Sequence, residues 1–178
     1  IFIFEEWTMI LDDLANSTRV RIERQKRDYS LDSIRRDAEL MASREMEVQE
    51  YDYPFEKALS ASGLSIISEV KKASPSKGVI ADAFPYLEIS KEYEASGADA
   101  ISCLTEPERF KGSDEYLKDI AKEVSIPVLR KDFTIDSYMI YQAKLLGASA
   151  ILLIAAILSD EELKDYFSLA DTLGLSCL

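Results

Sequence analysis

Two stretches decide the fold: Ser96-Gly-Ala-Asp-Ala-Ile101 and Leu146-Gly-Ala-Ser-Ala-Ile151. A third, Leu173-Gly-Leu-Ser-Cys-Leu178, repeats their plan. In each, a helical pattern ends at a glycine and an apolar run begins two or three residues later. Gly97, Gly147 and Gly174 suit the left-handed position just past a helix C-terminus, where a side chain would clash. The runs Ala100–Leu104 and Ile151–Ala155 are nearly all apolar, as expected of parallel strands covered by helices on both faces.

Outward from these stretches, Leu64–Val70 and Ile126–Leu129 fit the strand role without the glycine. Between the runs lie helix-period segments: Leu87–Ala95, Glu115–Val124 and Asp136–Leu146. Ser159-Asp-Glu-Glu162 is a capping-box sequence that opens a helix to about Leu173. The sum is βαβαβαβαβ, five strands and four intervening helices in units of roughly 25–35 residues. Met9 to about Lys57 is highly charged and helical without a strand, and reads as an N-terminal extension packed across one end of the sheet. Ile1–Thr8, ahead of Met9, reads as a tag remnant or upstream extension, with a native origin as the alternative. The organisation is therefore 1–8, 9–57 and 58–178.

No unit carries a dinucleotide fingerprint, which favours a (β/α)8 barrel over a doubly wound sheet. Such a barrel takes about 250 residues, whereas the chain has 178. The expected fold class is α/β: a (β/α)8 TIM barrel with a helical N-terminal extension, truncated within the fifth strand. A five-stranded open sheet is the alternative.

Composition excludes several kinds of chemistry. With 21 Lys+Arg against 33 Asp+Glu, the formal charge is −12, which argues against sequence-independent nucleic-acid binding. Histidine is absent, removing Ser-His-Asp and Cys-His catalysis, imidazole shuttles and histidine zinc sites. Acid–base work must fall to Lys, Asp/Glu, Tyr or Cys. Cys103 and Cys177 lie far apart in apolar runs and read as buried thiols of a reducing compartment rather than a disulfide or metal site. The longest apolar run, Ala148–Leu158, is too short to cross a bilayer, and no secretory signal is seen. The expected location is cytoplasmic.

Positive charge gathers where strands end. Glu69-Val-Lys-Lys-Ala-Ser-Pro-Ser-Lys-Gly78 follows the first strand and Arg130-Lys-Asp-Phe133 the third. Lys71, Lys72, Lys77, Arg130 and Lys131 are thus expected at one rim, a cationic funnel suited to a small, multiply anionic substrate such as a phosphate ester. Ser74, Ser76 and Gly78 add donors for oxyanions. The competing reading is solvated loop lysines on a plain turn. Strand parity weighs against it, because Glu69 and Lys71 point the same way, and an inward Glu and Lys are expensive unless used. Phe110 and Phe133 fall at the same rim and suit an aromatic ring; core aromatics under a loop are the alternative for each.

These residues are recognisable. Ile66-Ile-Ser-Glu-Val-Lys-Lys-Ala-Ser-Pro-Ser-Lys-Gly78, Ile101-Ser-Cys-Leu-Thr-Glu106 leading to Phe110-Lys-Gly-Ser113, Pro127-Val-Leu-Arg-Lys-Asp-Phe133 and Ile151-Leu-Leu-Ile154 closely resemble the indole-3-glycerol-phosphate synthase family, from Met9 to Leu178. The resemblance implies a barrel enzyme of tryptophan biosynthesis. It would close 1-(2-carboxyphenylamino)-1-deoxyribulose 5-phosphate to indole-3-glycerol phosphate with loss of CO2 and water, using no cofactor and no metal. It implies Lys131 as general acid, Lys71 as anion ligand sharing the acid role, and Glu69 as organiser of the lysines. Ser74 and Pro75 follow the family's substrate loop, and Leu104, Phe110, Phe133 and Leu152 match its apolar pocket.

The resemblance also puts the family's general-base glutamate and most of its phosphate-binding loops beyond Leu178. As given, the chain is then expected to be inactive alone and to associate, the full-length protein being a monomer. A non-catalytic phosphate-binding half-barrel, or a sister barrel such as phosphoribosylanthranilate isomerase, are the alternatives.

Overall fold

The computed structural model describes residues 2–48, 51–80 and 83–178, with side chains from residue 11 onward. Three helices come first: α1 (Phe2–Asp28), α2 (Leu31–Val48) and the short α3 (Pro54–Leu59). Helix α1 begins at Phe2, ahead of Met9. Its buried side chains Leu14, Ala15, Thr18 and Ile22 recur on one face. In α2 the buried residues are Ile34, Ala38 and Ala42. This four-residue repeat forms one buried face, which packs against the helix α6 (Ser137–Leu145).

The rest alternates strand and helix: β1 (Ile67–Val70), α4 (Tyr86–Ala95), β4 (Ala100–Leu104), α5 (Asp114–Glu123), β5 (Val128–Lys131), α6 (Ser137–Leu145), β6 (Ala150–Ile151), α7 (Asp160–Thr172) and β7 (Ser176–Cys177). Two more strands, β2 (Ala73–Ser74) and β3 (Gly78–Val79), form a small antiparallel hairpin between β1 and α4. The main sheet runs β1-β4-β5-β6-β7, every pair parallel. Strand order thus follows chain order, each crossover carrying one helix.

Register sorts the strand residues onto two faces. Val70, Ile101, Cys103, Val128 and Ile151 join the large cluster under the helices. Ala100, Leu129 and Ala150 lie on the other face and pack with Phe55 of α3, which is 2% exposed. Residues of that face further along the strands are Glu69, Leu104 and Lys131, by their registers Glu69↔Ser102, Ser102↔Leu129 and Leu104↔Lys131. One sheet face is therefore apolar at the strand beginnings and charged at the strand ends.

Some expected boundaries move. The run Ile151–Ala155 yields strand only at Ala150–Ile151; beyond Ile151 it leaves the sheet, half-buried through Ile154 and exposed at Ala155. The sequence Ser74–Gly78, for which a plain turn was one reading, is a turn closing the β2–β3 hairpin. Among the described residues, no helix is long and apolar enough to cross a membrane.

Candidate active site

Three of the expected residues meet at the C-terminal ends of β1 and β5. Glu69 bonds the Lys71 ammonium with one oxygen and accepts from Lys131 Nζ at 3.3 Å with the other. Their side chains are 31%, 31% and 35% exposed for Glu69, Lys71 and Lys131, half-sheltered but open to solutes. Burial raises the Glu69 pKa, but the Lys71 hydrogen bond and the charges of Lys131 and Lys71 outweigh it. The carboxyl ends below its ordinary value. At neutral pH the trio is one carboxylate between two ammonium groups, carrying net positive charge that an anionic ligand would complement.

Strand alternation explains why Lys131 reaches this cluster. Its neighbours Arg130 and Asp132 are buried at 1% and 3% exposure. Arg130 donates to Met139 O at 2.8 Å, Gln142 Oε1 at 2.7 Å, Asp114 Oδ1 at 2.8 Å and Thr105 Oγ1 at 3.3 Å. Asp132 accepts from Arg21 Nη2 of α1 at 2.9 Å on both oxygens, from the Thr105 hydroxyl at 2.6 Å and from the Phe133 amide at 2.9 Å. The expectation that Arg130 belongs to the cationic rim is thus corrected. It lies on the face opposite Lys131, satisfied among helix residues. Lys72 is half-buried, with its carbonyl accepting from the Ile80 amide at 2.9 Å, and Lys77 is exposed on the hairpin turn.

The expected apolar residues lie at or beyond the ends of β4, β5 and β6. Leu104 is buried and lies opposite Lys131 in the ladder. Phe110 and Phe133 approach to 6.5 Å between ring centroids at 41°, a tilted pair within the favourable range. Leu152 is half-buried and continues the parity of Ala150. Ser74 and Pro75 stand apart on the hairpin: Ser74 Oγ accepts from the Lys77 amide at 3.2 Å, and Pro75 is exposed. The Ala73 amide ties that hairpin to Phe110 by donating to its carbonyl oxygen at 3.1 Å.

Sequence reasoning gave no role to Arg21, Thr105, Glu106 or Asp132, all polar and packed around the strand ends. Asp132 and Glu106 stood inside the quoted motifs; the two-residue alternation that placed Glu69 and Lys71 would have set Asp132 with Arg130. Two open clefts lie at the opposite end of the strands, beside α2, Tyr51 and Tyr53. They hold none of the three clustered residues: the charged lining of one is Glu39, Glu47 and Asp171, and that of the other carries both signs.

The family model described as Indole-3-glycerol phosphate synthase matches residues 11–178. A protein of Ruminiclostridium cellulolyticum named indole-3-glycerol phosphate synthase is 54% identical over 170 residues, covering 96% of this chain and 63% of that protein. Proteins of the same name from Lacticaseibacillus paracasei and Thermoanaerobacter pseudethanolicus are 51% and 41% identical, each over 96% of this chain and 63% and 62% of theirs. The chain therefore spans about 63% of the length of the curated relatives it matches. With a matching family model over nearly its whole length, the chain belongs to the indole-3-glycerol phosphate synthase family.

Proposed function

We propose that the protein carrying this sequence closes the indole ring of 1-(2-carboxyphenylamino)-1-deoxyribulose 5-phosphate, giving indole-3-glycerol phosphate, CO2 and water. The observation that carries the reading is the Glu69 carboxylate held between the ammonium groups of Lys71 and Lys131. Ring closure joins the carboxyl-bearing aryl carbon to the ketone carbon, and the ketone oxygen must gain a proton as that bond forms. Lys131 donates it. Loss of CO2 returns the electron pair to the ring; the new hydroxyl then leaves as water after a second protonation, and a proton departs from the former ketose C1 carbon to complete the indole double bond. Lys71 holds the substrate's anionic groups and shares the acid role. Glu69 holds both ammonium groups aimed until substrate arrives.

Leu104, Phe110, Phe133 and Leu152 wall the aromatic ring in this reading, with Ser74 and Pro75 on the loop over the phosphorylated chain. The five parallel strands are the first five of a (β/α)8 barrel. Supporting this are the strand order in chain sequence and the site's position at C-terminal strand ends, where such barrels do their chemistry. The substrate is a soluble phosphate ester and the location is the cytoplasm.

A continuous assay of indole fluorescence tests the assignment. Lys131→Ala is expected to lower kcat by at least about 10²-fold, the usual contribution of a positioned general acid, with an unchanged melting temperature. A variant that turns over normally overturns the acid role of Lys131.

A further inference from the structure

Glu106 differs in setting from the acids around it. It lies two residues beyond β4 and is 2% exposed. Among the described residues no Lys or Arg forms an ion pair with it. Its charge is met by backbone alone. One carboxylate oxygen accepts the Glu108 amide at 2.7 Å; the other accepts those of Arg109 and Phe110 at 2.8 and 2.9 Å. Its own carbonyl accepts from the Gly112 amide at 2.8 Å. A carboxylate taken out of water needs such charge-assisted bonds, so the loop from Pro107 to Gly112 is wrapped around one side chain.

Two further features leave that loop a single shape. Lys111 sits at φ +55°, a left-handed conformation that a side-chain-bearing residue adopts only when its surroundings impose it. Gly112 passes so near the Leu104 carbonyl that any Cβ there would overlap it. The loop delivers Phe110, whose ring faces Phe133 at 6.5 Å and whose carbonyl holds the Ala73 amide at 3.1 Å.

We propose that Glu106 is a positioning residue for the aromatic wall: the fixed anion folds the Glu108–Phe110 backbone onto itself and so sets where Phe110 meets the aromatic ring of the ligand. This rests on the reading of the site given above. Glu106 touches no ligand; it acts through Phe110.

The test uses the protein carrying this sequence, with 2-aminobenzoate, a fluorescent aromatic acid, as probe. Phe110→Leu, Glu106→Gln and the double variant are titrated beside the unmodified chain. A glutamine offers one acceptor oxygen for three donors and turns an N–H toward the Glu108 or Arg109 amide. Each single variant is expected to weaken probe binding by about tenfold, the scale of one lost aromatic contact. The double variant is expected to be no weaker than either single one, because both remove the same contact. Amide exchange at 108–110 and at Ala73 rises together in Glu106→Gln. Should that variant not fold, Glu106→Asp keeps the charge but withdraws it by one methylene, and gives the same changes to a smaller extent.

If the unmodified chain binds and Glu106→Gln or Glu106→Asp binds equally well, or if the losses of Glu106→Gln and Phe110→Leu add in full, the positioning role is overturned while the pocket stands. If the unmodified chain does not bind the probe, the aromatic reading of the site fails and this proposal with it.

Discussion

Lys131 owes its place to the two residues beside it. Arg130 and Asp132 are held on the helix side of the sheet by six partners between them, Thr105 being shared, and alternation then sends Lys131 to the other face. The guanidinium of Arg130 is part of the folded core, so Arg130→Ala removes the buried donor of Asp114, Gln142 and the Met139 carbonyl, and leaves Arg21 as the one cation on Asp132 among the described residues. The expected loss is about 3–5 kcal/mol, measured by urea unfolding; a surface rim arginine would cost almost nothing. Glu69 carries a pH signature. Its folded pKa lies below the ordinary value, so its stabilisation is fully present above about pH 4.3 and is lost as pH falls through the lowered folded pKa. The stability gap between the unmodified chain and Glu69→Gln is therefore expected to be largest near neutrality and to close as the pH falls below the ordinary carboxylate range. A gap that grows on acidification would show that Glu69 is not held by its lysines.

At the scale of single elements, three helices end alike. After α4, α6 and α7 the glycine amide bonds back to Glu94, Lys144 and Asp171. The next amide bonds to Tyr93, Ala143 and Ala170, all six at 2.9–3.1 Å. These are Schellman ends with Gly97, Gly147 and Gly174 at φ +87°, +84° and +69°. Their substitutions separate backbone strain from crowding. A Cβ at Gly97 meets open space, whereas one at Gly174 falls 2.5 Å from the Tyr51 ring. Gly97→Ala is expected to cost about 1–2 kcal/mol in a urea titration and Gly174→Ala clearly more, the excess vanishing in a Tyr51→Ala background. The expected capping box is formed, Ser159 Oγ accepting from the Glu162 amide at 3.2 Å and Glu162 from the Ser159 amide at 2.8 Å. Helix ends of this kind are legible because their hydrogen bonds are local. The β2–β3 hairpin was not, since two-residue strands leave no periodicity to read.

Across the whole molecule, the N-terminal helices contact both ends of the sheet. Arg21 and Lys26 of α1 reach Asp132 and Asp136 near the strand ends, at 2.9 and 2.6 Å. At the opposite end, Phe55 of α3 covers Ala100, Leu129 and Ala150, and Tyr51 and Tyr53 donate to Thr172 O and Asp171 Oδ1 at 3.1 and 2.8 Å. The charged site thus rests on an apolar floor supplied by a distant segment. Phe55→Ala removes that floor, and about 3–5 kcal/mol of stability is expected to go with it, seen as a lower urea midpoint at unchanged slope. A loss under 1 kcal/mol would mean that α3 merely lies on the surface.

What the residues alone determined was local or periodic. The glycine-ended helices, the apolar strands, the shared parity of Glu69 and Lys71 and the family motifs all depend on neighbours within one element. Contacts between groups far apart in the chain were beyond that reach: Glu69 bridging to Lys131 across 62 positions, and Arg21 clasping Asp132 across 111. The interior role of Arg130 belongs with them, because its partners come from three separate elements. Such contacts exist only once the helices have packed, since a charge count along the chain does not say which face of a sheet a charge will occupy or what will be waiting there.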